Sequence, residues 1–314
     1  MELIDRVAHR LKLRDLRLLD TVVQSRSMAK AALRLNISQP AVSKAIAELE
    51  HVLGVRLLDR SRQGIEPTEY GRVLLDCGTA VLEDLRQGVQ RIEFLADPKA
   101  GEVRIGCHPY LAVSFVSPLI DRVVCRYPRI TFRLVIGEAE KLQHELIARN
   151  VDFLITRQWS QITDERLSCE FLFDESFVVV VGAKNHWVRR RRIALLDLMD
   201  EPWVLPPPES QFGMAVAEAF RSWGLDYPRA TVLTVPPDVR MSLLATGRFL
   251  TIFPASVLRF PTRRQELKVL SVELPIRRVP SGIVTLTKRT VPPVASLFIE
   301  SARELAKSVQ APGR

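Results

Sequence analysis

Along residues 16–53 the apolar side chains fall into three helical runs separated by polar breaks. Leu16, Leu19 and Val23 keep helical spacing and predict a first helix, which Ser25 and Ser27 interrupt. Met28, Ala31, Ala32 and Leu35 form the apolar face of a short second helix, and Asn36 and Ile37 make the turn after it. Ser38 is a good N-cap for a third helix, and Pro40 is tolerated there because first-turn amides have no intrahelical partner. Val42, Ile46, Leu49 and Leu53 then recur at intervals of 4, 3 and 4, one buried stripe. Gly54 is placed to end that helix.

The face away from the stripe is polar near the helix start. Gln39, Ser43 and Lys44 bring a donor, an acceptor and a cation, with small Ala41 and Ala47 beside them to allow close approach. A helix that meets base edges and phosphates in a major groove needs this combination. Two helices joined by a tight turn, the second polar on its outer face, read as a helix-turn-helix. An ordinary helical hairpin with a solvated face gives the same pattern. The next stretch favours the first reading. "VRLLDRSRQGIEPT" is two short extended runs around "RSRQG", and Gly64 can supply the positive φ of a hairpin turn. Arg60 and Arg62 then fall at the hairpin tip, within reach of the DNA backbone or minor groove. The expectation is a winged helix-turn-helix over residues 1–66, contacting DNA through Ser38, Gln39, Pro40, Ser43, Lys44, Arg60 and Arg62.

After Pro67, Thr68 can cap a long helix running to about Leu95. Leu74, Gly78, Val81, Leu85, Gly88, Ile92 and Leu95 alternate at intervals of 4 and 3, as a coiled-coil seam does. A helix packed on its own domain is the alternative. "ADPKAG", with Pro98 and Gly101, is a candidate hinge. Beyond it "EVRIGC", a helix from about Leu111 to Arg126, "ITFRLVIG", "EKLQHELIARN" and "VDFLIT" alternate strand with helix. That order predicts a parallel sheet with helices on its faces, and the later segments "SFVVVVGA" to "LTIFP" repeat the theme. Ligands of open α/β sheets bind beyond the carboxyl ends of strands. The rule selects Cys107 to Tyr110, Gly137-Glu138, Arg157, the loop "PPPESQF" and the turn "ATGRFLTIFP".

Composition narrows the partners. With 314 residues, 47% of them hydrophobic, the chain can bury more than one core. Net charge is +9, and residues 1–64 hold 12 basic and 7 acidic side chains, so just over half the excess sits in the first fifth. A polyanionic partner suits this balance. Cys77, Cys107, Cys125 and Cys169 include no CxxC and fit reduced thiols better than a disulfide framework. The charged N-terminus lacks an apolar core of signal-peptide length, and "FVVVVGA" is only strand-length, so a soluble cytoplasmic protein without membrane partners is expected.

At this point a family resemblance can be stated. "SMAKAALRLNISQPAVSKAIAELEHVLGVRLLDRSRQGIEPTEYG" resembles the N-terminal domain of the LysR-type transcriptional regulators. The shared positions are Ala31-Ala32, Leu35, Ile37 to Ser43, Ile46, Leu49-Glu50, Leu53 to Val55, Leu57, Arg60, Thr68 and Gly71; Met28 and Leu58 stand where the family often has Phe. The rest of the chain resembles the family more weakly. The resemblance implies a dimerising linker helix over residues 67–95. After it comes a two-lobed α/β effector domain like periplasmic binding proteins over 96–314, with lobe I at about 101–170 and 277–314 and lobe II at about 171–276. It implies crossover strands near 170–178 and 267–276, a homodimer or tetramer, promoter DNA, a small-molecule effector and RNA polymerase as partners, and no cofactor. Effector contacts are implied at Tyr110, Glu138, Arg157, Pro207, Ser210, Phe212 and Phe253. Many family members have a small hydroxyl residue where this chain has Tyr110 and Glu138. Arg157 can pair the carboxylate of a small organic acid or form an internal salt bridge, for example with Glu138.

Other signals are weaker. "RRRR" at 189–192 reads as a solvated loop before a second DNA contact. His108 lies near the proposed cleft and could titrate there, or simply pack; Cys107 could sense oxidants but lacks a resolving partner. No HExxH, GxSxG, Walker or GxGxxG motif occurs, which removes the footing for a metalloenzyme, hydrolase or nucleotide-binding reading. Two rivals remain: an α/β enzyme tethered to DNA, and a nucleoid-associated protein without a ligand.

Overall fold

The computed structural model of the chain describes residues 7, 10–61, 64–97, 99–157, 164–258 and 266–310. The chain divides into two compact units, Met1–Gln90 and Arg91–Arg314.

The first unit opens with three helices, α1 (Leu13–Ser25), α2 (Met28–Leu35) and α3 (Gln39–Leu53). Their ends are set by short polar caps. Ser27 Oγ accepts from Lys30 N at 3.4 Å and Ser38 Oγ from Ala41 N at 3.3 Å, satisfying first-turn amides. Arg26 and Asn36 turn left-handed to end α1 and α2. Leu19, Val22, Ala31, Val42 and Ile46 form the fully buried centre. Along α3 the stripe ends on Val52 rather than Leu53, which is half-buried; a further step of three after Leu49 follows the 3.6-residue period better than a step of four.

Strands β1 (Leu58–Ser61) and β2 (Gly64–Pro67) pair antiparallel from Leu58↔Pro67 to Ser61↔Gly64. Gly64 has φ 125°, and a Cβ there would lie 3.1 Å from the Arg26 carbonyl, so the turn needs glycine for both conformation and space. Ile65 N donates to that carbonyl and ties the hairpin to the end of α1.

Helix α4 (Glu69–Ala96) starts where expected, Thr68 Oγ1 accepting from Gly71 N at 3.1 Å and donating to Arg56 O at 2.8 Å. The division between the units falls within it. Leu74 packs on the first unit's core and Gly78 lies against Leu16, whereas Val81, Leu85, Ile92 and Leu95 are exposed, Leu95 by 82%. The start of the seam therefore packs on its own unit and the remainder is open. Of the candidate hinge, Pro98 lies outside the described residues.

The second unit contains two five-stranded sheets. The first, lobe I, has the order β4-β3-β5-β12-β6, built from β3 (Ala100–Cys107), β4 (Arg129–Ile136), β5 (Phe153–Arg157), β6 (Leu167–Glu175) and β12 (Val279–Leu286). The second, lobe II, has the order β11-β7-β10-β8-β9, from β7 (Phe177–Gly182), β8 (Trp203–Leu205), β9 (Ala230–Leu233), β10 (Leu250–Pro254) and β11 (Leu267–Val269). The parallel order expected of the first three strands of lobe I is found, and β8 lies parallel to β9 and β10 in lobe II; the expectation that every strand follows it is corrected. β3, β4 and β5 are parallel, but β12 runs antiparallel to both β5 and β6, and β7 antiparallel to β10 and β11. These are the strands on which the chain enters or returns between lobes, and such passages need no same-direction crossover helix. The change of sheet falls at Ser176, between residues 170 and 178 where the first crossover is expected, and the return passage 270–278 is not strand.

Helices cover both faces of each sheet. In lobe I, α5 (Ser117–Arg126) and α9 (Pro293–Gln310) bury Leu119, Val123, Phe298 and Ala302 against Phe153 and Ile155. On the other face α6 (Ala139–Ile147) buries Leu142 and Leu146 against Leu154. In lobe II, α7 (Gln211–Ser222) packs Val216 and Phe220 on Val179, Val181 and Trp203, and α8 (Pro237–Ala245) packs Leu244 opposite, on Val180 and Phe253. The alternating strand residues serve opposite faces, as the pleat requires. The helix expected from Leu111 includes a wide π-type turn at Ala112–Val116, where Ser117 Oγ donates to the Ala112 carbonyl.

Candidate functional site

Two groups of side chains carry chemistry, one in each unit. In the first unit Gln39, Pro40 and Lys44 are exposed at the start of α3 and Ser43 is half-buried. Ser38 is exposed, with its hydroxyl engaged in the cap. Arg60 is exposed on β1, opposite Ile65. Arg62 lies outside the described residues. One residue of this face escaped the periodicity argument. Glu50 Oε1 accepts from Leu57 N at 2.8 Å and Leu58 N at 3.3 Å, fastening the first strand of the hairpin to α3. Its sequence signals are its place among the positions shared with the family and an acid late in the helix, just before Gly54.

In the second unit the carboxyl ends of β3, β4 and β5 lie side by side, Cys107 paired with Ile136 on one flank and Ile155 on the other. The residues that follow them meet as the strand-end rule requires. His108 Nδ1 accepts from Tyr110 N at 3.3 Å and lies 3.2 Å from Arg157 Nη2. Both partners are donors, which leaves the ring proton on Nε2, 3.4 Å from Glu138 Oε2. The sequence-level alternative of a direct Arg157–Glu138 salt bridge is therefore replaced: His108 stands between them. Burial, with Arg157 beside it, pushes the His108 pKa down to about 4, only partly offset by Glu138. The hydrogen bond from His108 holds the Glu138 carboxyl below the usual carboxylate range. Cys107 is buried and its thiol pushed up to about 12, which removes the thiolate that oxidant sensing needs.

Arg157 is only 2% exposed. Its guanidinium carbon lies 5.1 Å from the Tyr110 ring centre, 5.9 Å from that of Phe177 and 6.0 Å from that of Phe212. Among the described residues it forms no ion pair, and Nε and Nη1 have no hydrogen-bond partner. Burial lowers its pKa; Glu175 opposes this through space, but the Glu175 oxygens accept from Ser256 N at 3.1 Å and Ser256 Oγ at 2.6 Å. Ser281, paired with Arg157 across the β5–β12 register, is fully buried with an unpartnered hydroxyl.

Lobe II contributes a second buried guanidinium. Arg240 on α8 donates through Nη1 to the Tyr110 hydroxyl and through Nη2 to Thr251 Oγ1, the Val204 carbonyl at 3.3 Å and the Ile252 carbonyl at 2.9 Å. Phe253 packs edge-on to Tyr110, and Phe212 does the same from the start of α7. That start is shaped by Ser210, which caps Gly213 N at 3.0 Å and donates to the Pro207 carbonyl at 2.7 Å. Gly213 is required there, because a Cβ would sit 1.9 Å from the same carbonyl. Tyr110, Glu138, Arg157, Phe212 and Phe253 thus gather at one place; Pro207 and Ser210 shape its wall. Arg240, Phe177, Glu175, Ser256 and Ser281 were not foreseen, since each depends on a contact between distant segments.

The "RRRR" run is exposed on lobe II after a short 3₁₀ turn at His186–Arg189. Among the described residues no group of three or more His, Cys, Asp or Glu could hold a metal, and no helix is long and apolar enough to cross a membrane.

Comparison with known proteins matches residues 13–72 to the family described as "Bacterial regulatory helix-turn-helix protein, lysR family" and residues 96–307 to the "LysR substrate binding domain". The chain is 29% identical over 302 residues to the HTH-type transcriptional regulator PcaQ of Agrobacterium fabrum strain C58, covering 96% of each. Among solved structures, a full-length OxyR of Pseudomonas aeruginosa superposes with TM-score 0.66 at 21% identity, over 95% of both chains. Full-length CbnR complexed with its target DNA gives 0.53 at 23%, covering 94% of this chain and 100% of that one. With a helix-turn-helix unit, a long helix and a two-lobed α/β domain in that order, the chain belongs to the LysR family: it is a LysR-type transcriptional regulator and not an enzyme.

Proposed function

We propose that this regulator responds to a small organic acid bound between its two lobes, with Arg157 pairing the acid's carboxylate. The observation that carries the reading is a guanidinium 2% exposed, ringed by aromatic side chains, with two nitrogens unpartnered and no ion pair among the described residues. A buried guanidinium that Glu175 supports only through space, with no carboxylate among the described residues hydrogen-bonded to it, still bears a desolvation cost, and an anion delivered to its nitrogens recovers part of it. Tyr110, Glu138, Phe212 and Phe253 form the surrounding contacts, with Pro207 and Ser210 as the wall. Such an acid acts on the regulator only through unequal affinity for two conformations of the protein.

At the DNA end, Gln39, Ser43 and Lys44 read the major groove of promoter DNA, Ser38 and Pro40 set the start of the reading helix, and Arg60 and Arg62 contact its backbone or minor groove. CbnR, similar in fold, is seen with its target DNA. The open apolar face of α4, from Val81 to Leu95, supports a homodimer, and a tetramer is the further assembly proposed. RNA polymerase is the proposed downstream partner and the cytoplasm the proposed location.

Isothermal calorimetry on the full-length protein tests the acid site with a panel of small carboxylates. At least one binds the wild type, and Arg157→Ala weakens it tenfold or more, as loss of a charge-assisted pair should. Equal binding by both proteins, or no binding to the wild type across the panel, refutes it.

A further inference from the structure

Tyr110 originates in lobe I, in the turn after β3, yet its ring is buried in a cluster with Val180, Leu244, Phe253 and Val257 of lobe II. Its hydroxyl donates to the Val235 carbonyl at 3.0 Å and accepts from Arg240. Its ring lies 5.1 Å from the Arg157 guanidinium carbon and 5.8 Å from that of Arg240. Phe253 and Phe212 meet it edge-on, with ring centres at 5.6 and 6.5 Å. A free phenol entering an interlobe site would seek these contacts: cations against its π face, aromatic edges around it, a donor and an acceptor on its oxygen.

We propose that Tyr110 is a tethered occupant of the aromatic part of the interlobe site and is therefore the residue that sets ligand class. It excludes benzoate-sized acids and leaves the Arg157 nitrogens to a small aliphatic carboxylate. This rests on the reading that the cleft binds an acid. The physical reason is simple. The tethered ring supplies apolar surface and a neutral hydroxyl but no charge, so it fills the volume of an aromatic acid without neutralising Arg157. Two rings cannot share the space, because the Tyr110 side chain is 1% exposed and enclosed by side chains of both lobes. What a ligand can still add is an anion.

Removing the side chain and returning it as a free molecule tests this. Full-length wild type, Tyr110→Gly and Tyr110→Phe are compared by thermal unfolding and calorimetry with p-cresol, benzoate and propionate at about 5 mM. In Tyr110→Gly, p-cresol and benzoate raise the Tm by roughly 3 °C or more, and benzoate binds about tenfold tighter than p-cresol. The wild type and Tyr110→Phe, which keep the ring, respond to neither. In Tyr110→Gly/Arg157→Met the advantage of benzoate disappears while p-cresol still binds. Absence of any response in Tyr110→Gly, or benzoate binding equally to the wild type, overturns the proposal. So does a response to p-cresol with no preference for benzoate, which would mean a void unconnected to Arg157. If Tyr110→Gly does not fold alone, recovery of folded protein when p-cresol is present during refolding supports the slot, and failure to recover it while Tyr110→Phe folds rejects it. The p-cresol arm contains no carboxylate. A failure of propionate to bind the wild type therefore counts against the acid reading and leaves the slot to be decided by p-cresol.

Discussion

The start of α3 and the interlobe cluster solve opposite problems. Gln39, Pro40 and Lys44 lie in solvent on a helix whose other side is a packed core, so the polar groups of Gln39 and Lys44 stay hydrated at no cost to the fold. Arg157, His108, Arg240 and Tyr110 are buried, and every polar atom among them needs a partner or is left without one. An exposed recognition face can change residue by residue without touching the fold. A buried one is part of the fold, so specificity and stability are coupled there.

The largest expected break of that contrast is Phe253→Ala. Its ring is fully buried against Tyr110 and 4.9 Å from the Arg240 guanidinium carbon, so truncation should cost about 3–5 kcal/mol in denaturant unfolding. Gln39→Ala should stay within about 0.5 kcal/mol of wild type in the same measurement. If the two variants were equally stable, the distinction would be wrong.

Next comes pH. The His108 imidazole titrates near 6.5 when unfolded but near 4 when folded, so the unfolded state takes up the proton first. Stability is therefore fully present above pH 6.5 and falls between 6.5 and 4, by on the order of 3 kcal/mol. Unfolding followed across that window should show the loss, and His108→Gln should flatten it.

Glu50→Ala should cost about 1–3 kcal/mol, because two backbone amides of the hairpin lose their acceptor. Since Glu50 positions the hairpin, DNA affinity should fall as well, measured by fluorescence anisotropy at fixed salt. The smallest effect is expected of Arg60→Ala. Affinity drops alike on all sequences, and the slope of log K against log salt falls by about 1.

The same contrast decides how much could be read beforehand. In α3 the core and the outer face sit on one continuous segment, and spacing alone separates them: Val42, Ile46 and Leu49 are buried while Gln39 and Lys44 are not. Tyr110, Glu138 and Arg157 were reachable through the rule of strand ends, because β3, β4 and β5 are parallel neighbours. Arg240 was not. Its partners come from Tyr110, Val204, Thr251 and Ile252, and nothing within "DVRMSLLATG" tells a buried arginine from a solvated one. Strand direction was equally hidden: β12 has the alternation of any strand, and only its return from lobe II makes it antiparallel to β5. His108 illustrates the middle case, visible near the cleft but assignable only once Arg157 and Glu138 are seen on its two nitrogens.

The central claim is that the outward face of α3 reads duplex DNA while the hidden cluster regulates it. Competition anisotropy of the full-length protein on a fragment it selects from genomic DNA, against a scrambled duplex at 150 mM salt, tests this most directly. The wild type should prefer the selected fragment by about 10³-fold or more, and Gln39→Ala/Ser43→Ala should lose at least tenfold of that preference while holding its affinity for the scrambled duplex. Equal binding of both duplexes by the wild type, or an undiminished preference in the double variant, would contradict it.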